Sequence, residues 1–333
     1  MVDPRHLWKA DERIKQAREE HRAAQLDYQK QCWEKAPGLE ELDKSIQRTV
    51  SQALAAALRK GTDPGAAVEA ARRENLAAQK KRLELLERAG IDPDTLETTP
   101  YCPRCKDTGN ANGRICGCVI GLCAEENLAE LGTVLDLKRM DFSNVSLEWY
   151  STDFDPDYGM SSREAAETVL EVCKGYAGQF PDYPCGNLFL YGGTGLGKTF
   201  FSGCIAKEVA QKGCWTVYAT SGELFAHYEA VKFGRDDSGE SRRAVERYQR
   251  CDLLVLDDLG SEMVTPFVQS AFYQLLNERM NRRLHTVISS NLTMDDVRAR
   301  YSLQAASRLE GEYHALPFFG KDIRLQRREK GLR

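Results

Sequence analysis

Residues 187–199 read NLFLYGGTGLGKT, and this stretch decides the fold. The opening NLFLY is largely apolar and suits a buried strand, while the run FFSGCIAKEVAQK after position 199 suits a helix. Between them, Gly192, Gly193, Thr194, Gly195, Leu196, Gly197, Lys198 and Thr199 fit the pattern GxxxxGK[ST]. Glycine-rich backbone can wrap a phosphate closely enough for several N–H groups to point inward, and the following helix N-terminus adds a favourable dipole. In such a loop Lys198 contacts the β- and γ-phosphates and the Thr199 hydroxyl binds Mg²⁺. The segment is expected to bind a nucleoside triphosphate.

Downstream, LLVLDD (253–258) reads as a buried strand ending in two carboxylates. A parallel strand delivers its C-terminal residues to the ligand crevice. Asp257 is then placed for Mg²⁺, largely through water, and Asp258 to orient and deprotonate an attacking water. A helix cap in the next turn is the structural alternative for each. Neither an NKxD nor an LSGGQ-like motif occurs, which argues against a GTPase and a transporter-type ATPase. Instead Asn291 ends HTVISSN, Arg308 follows in SRLEGEY and Arg324 in GKDIR. The apolar runs NLFLY, CWTVYAT, LLVLDD, HTVISSN and ALPFF alternate with helical stretches, implying a parallel sheet covered on both faces.

This series resembles the AAA+ ATPases, and within them the DnaC/DnaI/IstB branch. The matching text is NLFLYGGTGLGKTF, DLLVLDDLGSE, ISSNL, ASRLEGEY and FFGKDIR, within 140–325. The resemblance implies an α/β P-loop fold with a five-stranded parallel sheet and ATP hydrolysis. It makes Lys198 and Thr199 the Walker A pair, Asp257 and Asp258 Walker B, and Asn291 sensor 1. Arg308 becomes an arginine finger supplied to a neighbouring subunit and Arg324 the sensor 2 arginine. Arg298 and Arg300 lie close enough in sequence to compete with Arg308. Many AAA+ proteins carry glutamate where this chain has Asp258.

Of eleven cysteines, Cys102, Cys105, Cys116, Cys118 and Cys123 fall in one short stretch. In a reducing compartment such a cluster reads as metal ligands. Cys102-x₂-Cys105 with Cys116-x-Cys118 offers four thiolates suited to tetrahedral, structural Zn²⁺, with an iron–sulfur cluster or a redox pair as the alternatives; Cys123 is a spare that competes with Cys118. The segment YCPRCKDTGNANGRICGC also looks like the cysteine segment of DnaI-like helicase loaders.

Upstream, residues 1–98 are rich in Ala, Glu, Lys, Arg, Gln and Leu. Breaks at Ala36-Pro37-Gly38 and at Gly61-Thr62-Asp63-Pro64 divide them into three helices. Leu7, Ile14, His21 and Tyr28 recur every seven residues with Ala10, Ala17 and Ala24 between, which reads as the seam of a coiled-coil-like bundle, expected to dock a partner, with a plain spacer as the alternative. The expected order is a helical region over 1–98, a zinc knuckle over 99–123, a linker over 124–160, and an ATPase domain over 161–333 with a minimal C-terminal lid.

At about 100–200 residues per domain, 333 residues favour two domains. The chain is 42% hydrophobic and 29% charged, ordinary for a globular protein. No run of about 18 uncharged apolar residues occurs, and the charged start MVDPRHLWKADERIKQ does not read as a signal peptide, so a cytoplasmic protein is expected. The net charge of −4 offers no global basic field, though Lys321, Arg324, Arg327, Arg328, Lys330 and Arg333 gather near the C-terminus. The resulting expectation is an ATP-dependent loader that places a DnaB-like hexameric helicase on single-stranded DNA and self-associates through the trans finger. An IstB-like transposition helper and a nucleotide-gated scaffold with little turnover are the alternatives.

Overall fold

The computed structural model describes residues 2–58 and 65–331. They divide into two compact units, one of residues 11–116 and the other of residues 2–10 together with 117–331.

In the smaller unit, α1 (Pro4–Lys35, entering from the larger unit), α2 (Leu39–Leu58) and α3 (Gly65–Ala89) are the three helices expected. They converge at one end, where Cys32, Ala36, Leu39, Leu86 and Ile91 are buried together. Asp43 ties the three: it accepts from the Trp33 indole at 2.8 Å and the Arg82 Nε at 2.7 Å. The heptad seam is not continuous. Ile14 is buried, but Tyr28 is 41% exposed. Past Ile14 the seam face of α1 meets residues 95–99, the end of a short 3₁₀ turn and the chain after it, through polar contacts from His21 and Gln25 to Thr99 and from Tyr28 to Thr95. The break expected over 61–64, and the side chains of Leu54 and Leu58, lie outside the described residues.

The larger unit is built on a parallel sheet of β1 (Asn187–Gly192), β2 (Thr216–Thr220), β3 (Leu253–Leu259), β4 (His285–Ser290) and β5 (His314–Phe318), in the order β2-β3-β4-β1-β5. These are the five runs named from the sequence. Successive side chains of a strand point to opposite faces. Leu188, Leu190, Leu253, Val255 and Val287 therefore share one cluster with α5 (Ser162–Gln179) and α6 (Lys198–Gln211). Phe189, Leu254, Leu256 and Ile288 share the other, with α7 (Ser221–Lys232), α8 (Glu240–Arg250), α9 (Pro266–Asn281), α10 (Met294–Arg300) and α11 (Leu303–Glu312). Burial on both faces is why these strands read as unbroken apolar runs.

Residues 124–160 are not a linker. Helix α4 (Gly117–Leu131) packs against α6, and Leu131, Leu135 and Phe142 enter the sheet's core cluster. Asn127, 2% exposed, completes the open edge of β2: its amide donates to Thr216 O at 2.8 Å and accepts from Thr216 N at 2.9 Å. A side-chain amide thus stands in for a neighbouring strand on an edge otherwise open to mispairing. After β5 the chain closes with α12 (Ile323–Glu329), whose first N–H donates to Gly195 O at 2.9 Å.

Candidate nucleotide-binding site

The loop between β1 and α6 takes a shape that only glycine allows at its tightest point. Gly192 has φ +137°, and a Cβ there would overlap the Phe318 carbonyl. Gly195 at φ +74° leaves room for the Asp322 carboxylate, and Gly197 at φ +99° opens α6. Lys198 folds back over the loop and donates to Gly192 O at 2.8 Å and Gly193 O at 2.6 Å. Burial lowers its ammonium pKa, opposed by the nearby charges of Asp257 and Asp258.

The two carboxylates of β3 owe their placement to an irregularity. Leu256 pairs with Ile288 but Leu259 with Ser290, so β3 carries one extra residue against β4. Such a bulge re-aims side chains that strict alternation would send to opposite faces. Asp258 sits at φ +58°, with its N–H donating to Ser289 Oγ at 3.1 Å. Asp257 is 5% exposed and accepts three hydroxyls: Thr199 at 3.0 Å, Tyr218 at 2.5 Å and Ser289. The sequence reading found Thr199 and missed the other two. A tyrosine in one strand and a serine in another carry no motif; their convergence on Asp257 depends on the register of β2 and β4 beside β3. Burial, and then the Asp257 charge, push the Tyr218 hydroxyl's pKa far up, so it stays a donor.

A cavity of about 440 Å³ opens over this loop. Thr194 to Phe201, Asp258, Ser289 and Asn291 line it, and α12 contributes Arg324 and Arg327. The opposite wall comes from the supposed linker: Met140, Asn144, Val145, Ser146, Trp149 and Tyr150. Tyr150 donates to Leu196 O at 2.8 Å, fastening this wall to the loop. Burial pushes its hydroxyl up to about 12. No pattern in the sequence marked these residues, because they line the site only through tertiary packing.

Residues 183–330 match the family model described as IstB-like ATP binding protein. This span holds the loop, both carboxylates, Asn291 and Arg324. Over residues 183–330 the chain is similar to the IstB-like ATP binding proteins. A curated relative, the chromosomal replication initiator protein DnaA of Wolinella succinogenes, is 32% identical over 158 residues, 45% of this chain. The chain spans 34% of that relative's length. Solved structures similar to this chain include the DnaC helicase loader, at 19% identity and TM-score 0.41, covering 54% of this chain and 98% of that one. DnaI matches at 20% identity and TM-score 0.42, covering 56% and 92%. AMPPCP-bound DnaA from Aquifex aeolicus matches at 19% and 0.42, covering 59% and 56%.

Within residues 183–330 the three candidate finger arginines differ. Arg298 pairs with Asp295 at 2.6 Å and with Glu310, and Arg300 donates to Gly260 O at 3.2 Å. Arg308 is exposed on α11 and does not line the cavity.

The cysteines form a separate group. Cys102, Cys105, Cys116 and Cys118 bring their Sγ atoms within 4.8 Å of one another. The chain between the pairs turns back as a ladder, Asn110–Ala111 against Arg114–Ile115, through Asn112 and Gly113, both at positive φ. Cys123 stands apart in α4, 2% exposed, and burial pushes its thiol up to about 11. Of the two candidates for the fourth position, Cys118 is the one that joins the group. No described helix is long and apolar enough to cross a membrane.

Proposed function

We propose that this protein is an ATP-hydrolysing helicase loader that engages a DnaB-like hexameric helicase and delivers it to single-stranded DNA. One observation carries the reading. The chain assembles a P-loop, Asp258 and Asn291 around one cavity, with Asp257 behind it on Thr199, yet leaves Arg308 exposed outside it while Arg298 and Arg300 are held by their own chain. An arginine left over in this way suits the nucleotide of a second copy, so turnover would need self-association.

The donors present fit a magnesium nucleotide. Hydroxyl and carboxylate oxygens of Thr199 and Asp257, 3.0 Å apart, are the hard ligands that Mg²⁺ takes, and the glycine cradle is one that a Cβ would fill. When bound, Mg²⁺ neutralises charge on the phosphates. Lys198 would leave the loop carbonyls for the β- and γ-phosphates. Asp258 and Asn291 would orient water against the γ-phosphate, and Asp258 would take its proton. Arg324 would meet the phosphates from α12, and the apolar wall of Met140, Val145 and Trp149 would receive the base. A finger in trans is worth roughly 10³–10⁵ in rate in other phosphoryl-transfer systems.

The four-sulfur group likewise fits tetrahedral Zn²⁺. With every position filled by protein, its role would be to hold the knuckle's shape. We expect about one zinc per chain by metal analysis; less than about half an equivalent, with no other metal, would remove zinc from the account.

The client is tested by a pull-down from native-host lysate with tagged Asp258→Asn and ATP, a variant expected to bind nucleotide but release partners slowly. A hexameric replicative helicase as the main prey supports the loader. A transposase instead supports the IstB-like transposition helper, a reading the family match at 183–330 favours. ATPase activity that stays at background even with single-stranded DNA and helicase would leave a nucleotide-gated scaffold.

A further inference from the structure

The smaller unit carries a groove of about 770 Å³ between α1 and residues 98–107, well apart in sequence from the nucleotide loop. Three cations line it: Arg18, Arg22 and Lys106. Some cations of this unit are matched by acids, Lys15 with Asp11 and Glu12, Lys44 with Glu40, and Arg82 with Asp43. Among the described residues no hydrogen bond or ion pair engages Arg18, Arg22 or Lys106, and the Arg18 Nε is buried without an acceptor. The one carboxylate in the lining, Asp107, is occupied by the backbone, accepting from Tyr101 N at 3.1 Å and Cys102 N at 2.7 Å.

Three like charges turned to one groove repel one another, the more so where water is partly excluded, and an anion relieves that repulsion. The groove also has an aromatic flank. His21 in its lining is held by Thr99 O at 3.1 Å, and the Tyr101 ring stands edge-on to it at 6.3 Å, 45% exposed. Cations that track a backbone beside an exposed ring are what single strands use, phosphates on the charges and a base on the ring. We infer that this groove grips the phosphate backbone of single-stranded nucleic acid, with Tyr101 stacking on a base. The inference rests on the reading that the protein acts on single-stranded DNA, and it gives the N-terminal region a nucleic-acid role.

The test is fluorescence anisotropy of a labelled oligothymidine with the full chain, across a salt series. Arg18→Gln/Arg22→Gln/Lys106→Gln should bind roughly 10- to 100-fold more weakly at about 0.1 M salt. Its log–log salt slope should be shallower by about 2, at about 0.7 per phosphate for single strands. Tyr101→Ala should weaken binding several-fold with the slope unchanged, since stacking releases no counterions. Basal ATP turnover should be unaffected in both. If the triple variant loses its fold by circular dichroism, Arg22→Gln/Lys106→Gln, at two exposed positions, should still flatten the slope by about 1.4. A folded variant that binds with the parent's affinity and slope overturns the groove while leaving the loader reading intact. The same holds if it keeps DNA but loses a purified DnaB-like helicase, which would make the groove a protein-docking surface. Parent protein that binds no oligothymidine overturns both.

Discussion

At the scale of single residues, Asp257 shows how a buried carboxylate is made usable. Three hydroxyls from three different elements satisfy it, so its charge is tolerated at 5% exposure and its orientation is set. Thr199 would turn to the metal when nucleotide binds, leaving Tyr218 and Ser289 to hold the carboxylate. Tyr218→Phe should therefore raise the Mg²⁺ concentration needed for half-maximal turnover several-fold, while binding of a fluorescent nucleotide in EDTA stays unchanged. Equal Mg²⁺ dependence in parent and variant would show that Ser289 suffices. Glu130 offers a second residue-scale test. Burial pushes its carboxyl up, but the hydrogen bond from His6 and the charges of Arg247 and Arg5 outweigh this and bring it down to about 2. A depressed carboxyl stabilises the fold fully above its ordinary value near 4.5 and loses that contribution as pH falls toward 2. Thermal melts at pH 5 and pH 3 should show the parent losing more stability than Glu130→Gln, and parallel losses would refute the assignment.

At the scale of elements, α9 is fastened by a residue with no sequence signature. Arg279 is fully buried and donates to the carbonyls of Tyr248 at 2.7 Å, Cys251 at 3.1 Å and His285, and to the Thr286 hydroxyl at 3.0 Å. It gathers the end of α8 and the starts of β3 and β4 onto one helix. Arg279→Met fills much the same volume but orphans those carbonyls, so we expect a loss of about 3–5 kcal/mol in urea titration. A loss under about 1 kcal/mol would mean that water replaces the guanidinium. The strands themselves were legible, because runs buried on both faces are continuous in apolar residues. Helix α4 and the stretch that follows were not. From Glu125 onward their apolar residues are interspersed with charged and polar ones, and the value of Asn127 lies in an edge strand 89 residues away.

For the whole molecule, the question is whether one chain completes its own site. With Arg308 exposed and outside the cavity, Arg308→Ala should bind ATP normally and hydrolyse almost none. Mixed with Lys198→Ala, which keeps its finger but lacks the loop lysine, it should regain part of the activity, since some interfaces would pair an intact loop with an intact finger. A mixture as inactive as its parts would sink the shared site. The sequence by itself determined the phosphate loop, the paired aspartates, the five strands and the cysteine group. Each depends on residues close together in the chain, or on a burial pattern that repeats locally. Only the tertiary structure decided what surrounds them. The β3 bulge that turns Asp258 toward the site, the hydroxyls on Asp257, the wall from 140–150 and the choice of Cys118 over Cys123 all arise from segments brought together by packing. The α1 seam fails for the same reason: heptad spacing states which side chains share a face, whereas burial depends on whether another helix reaches it.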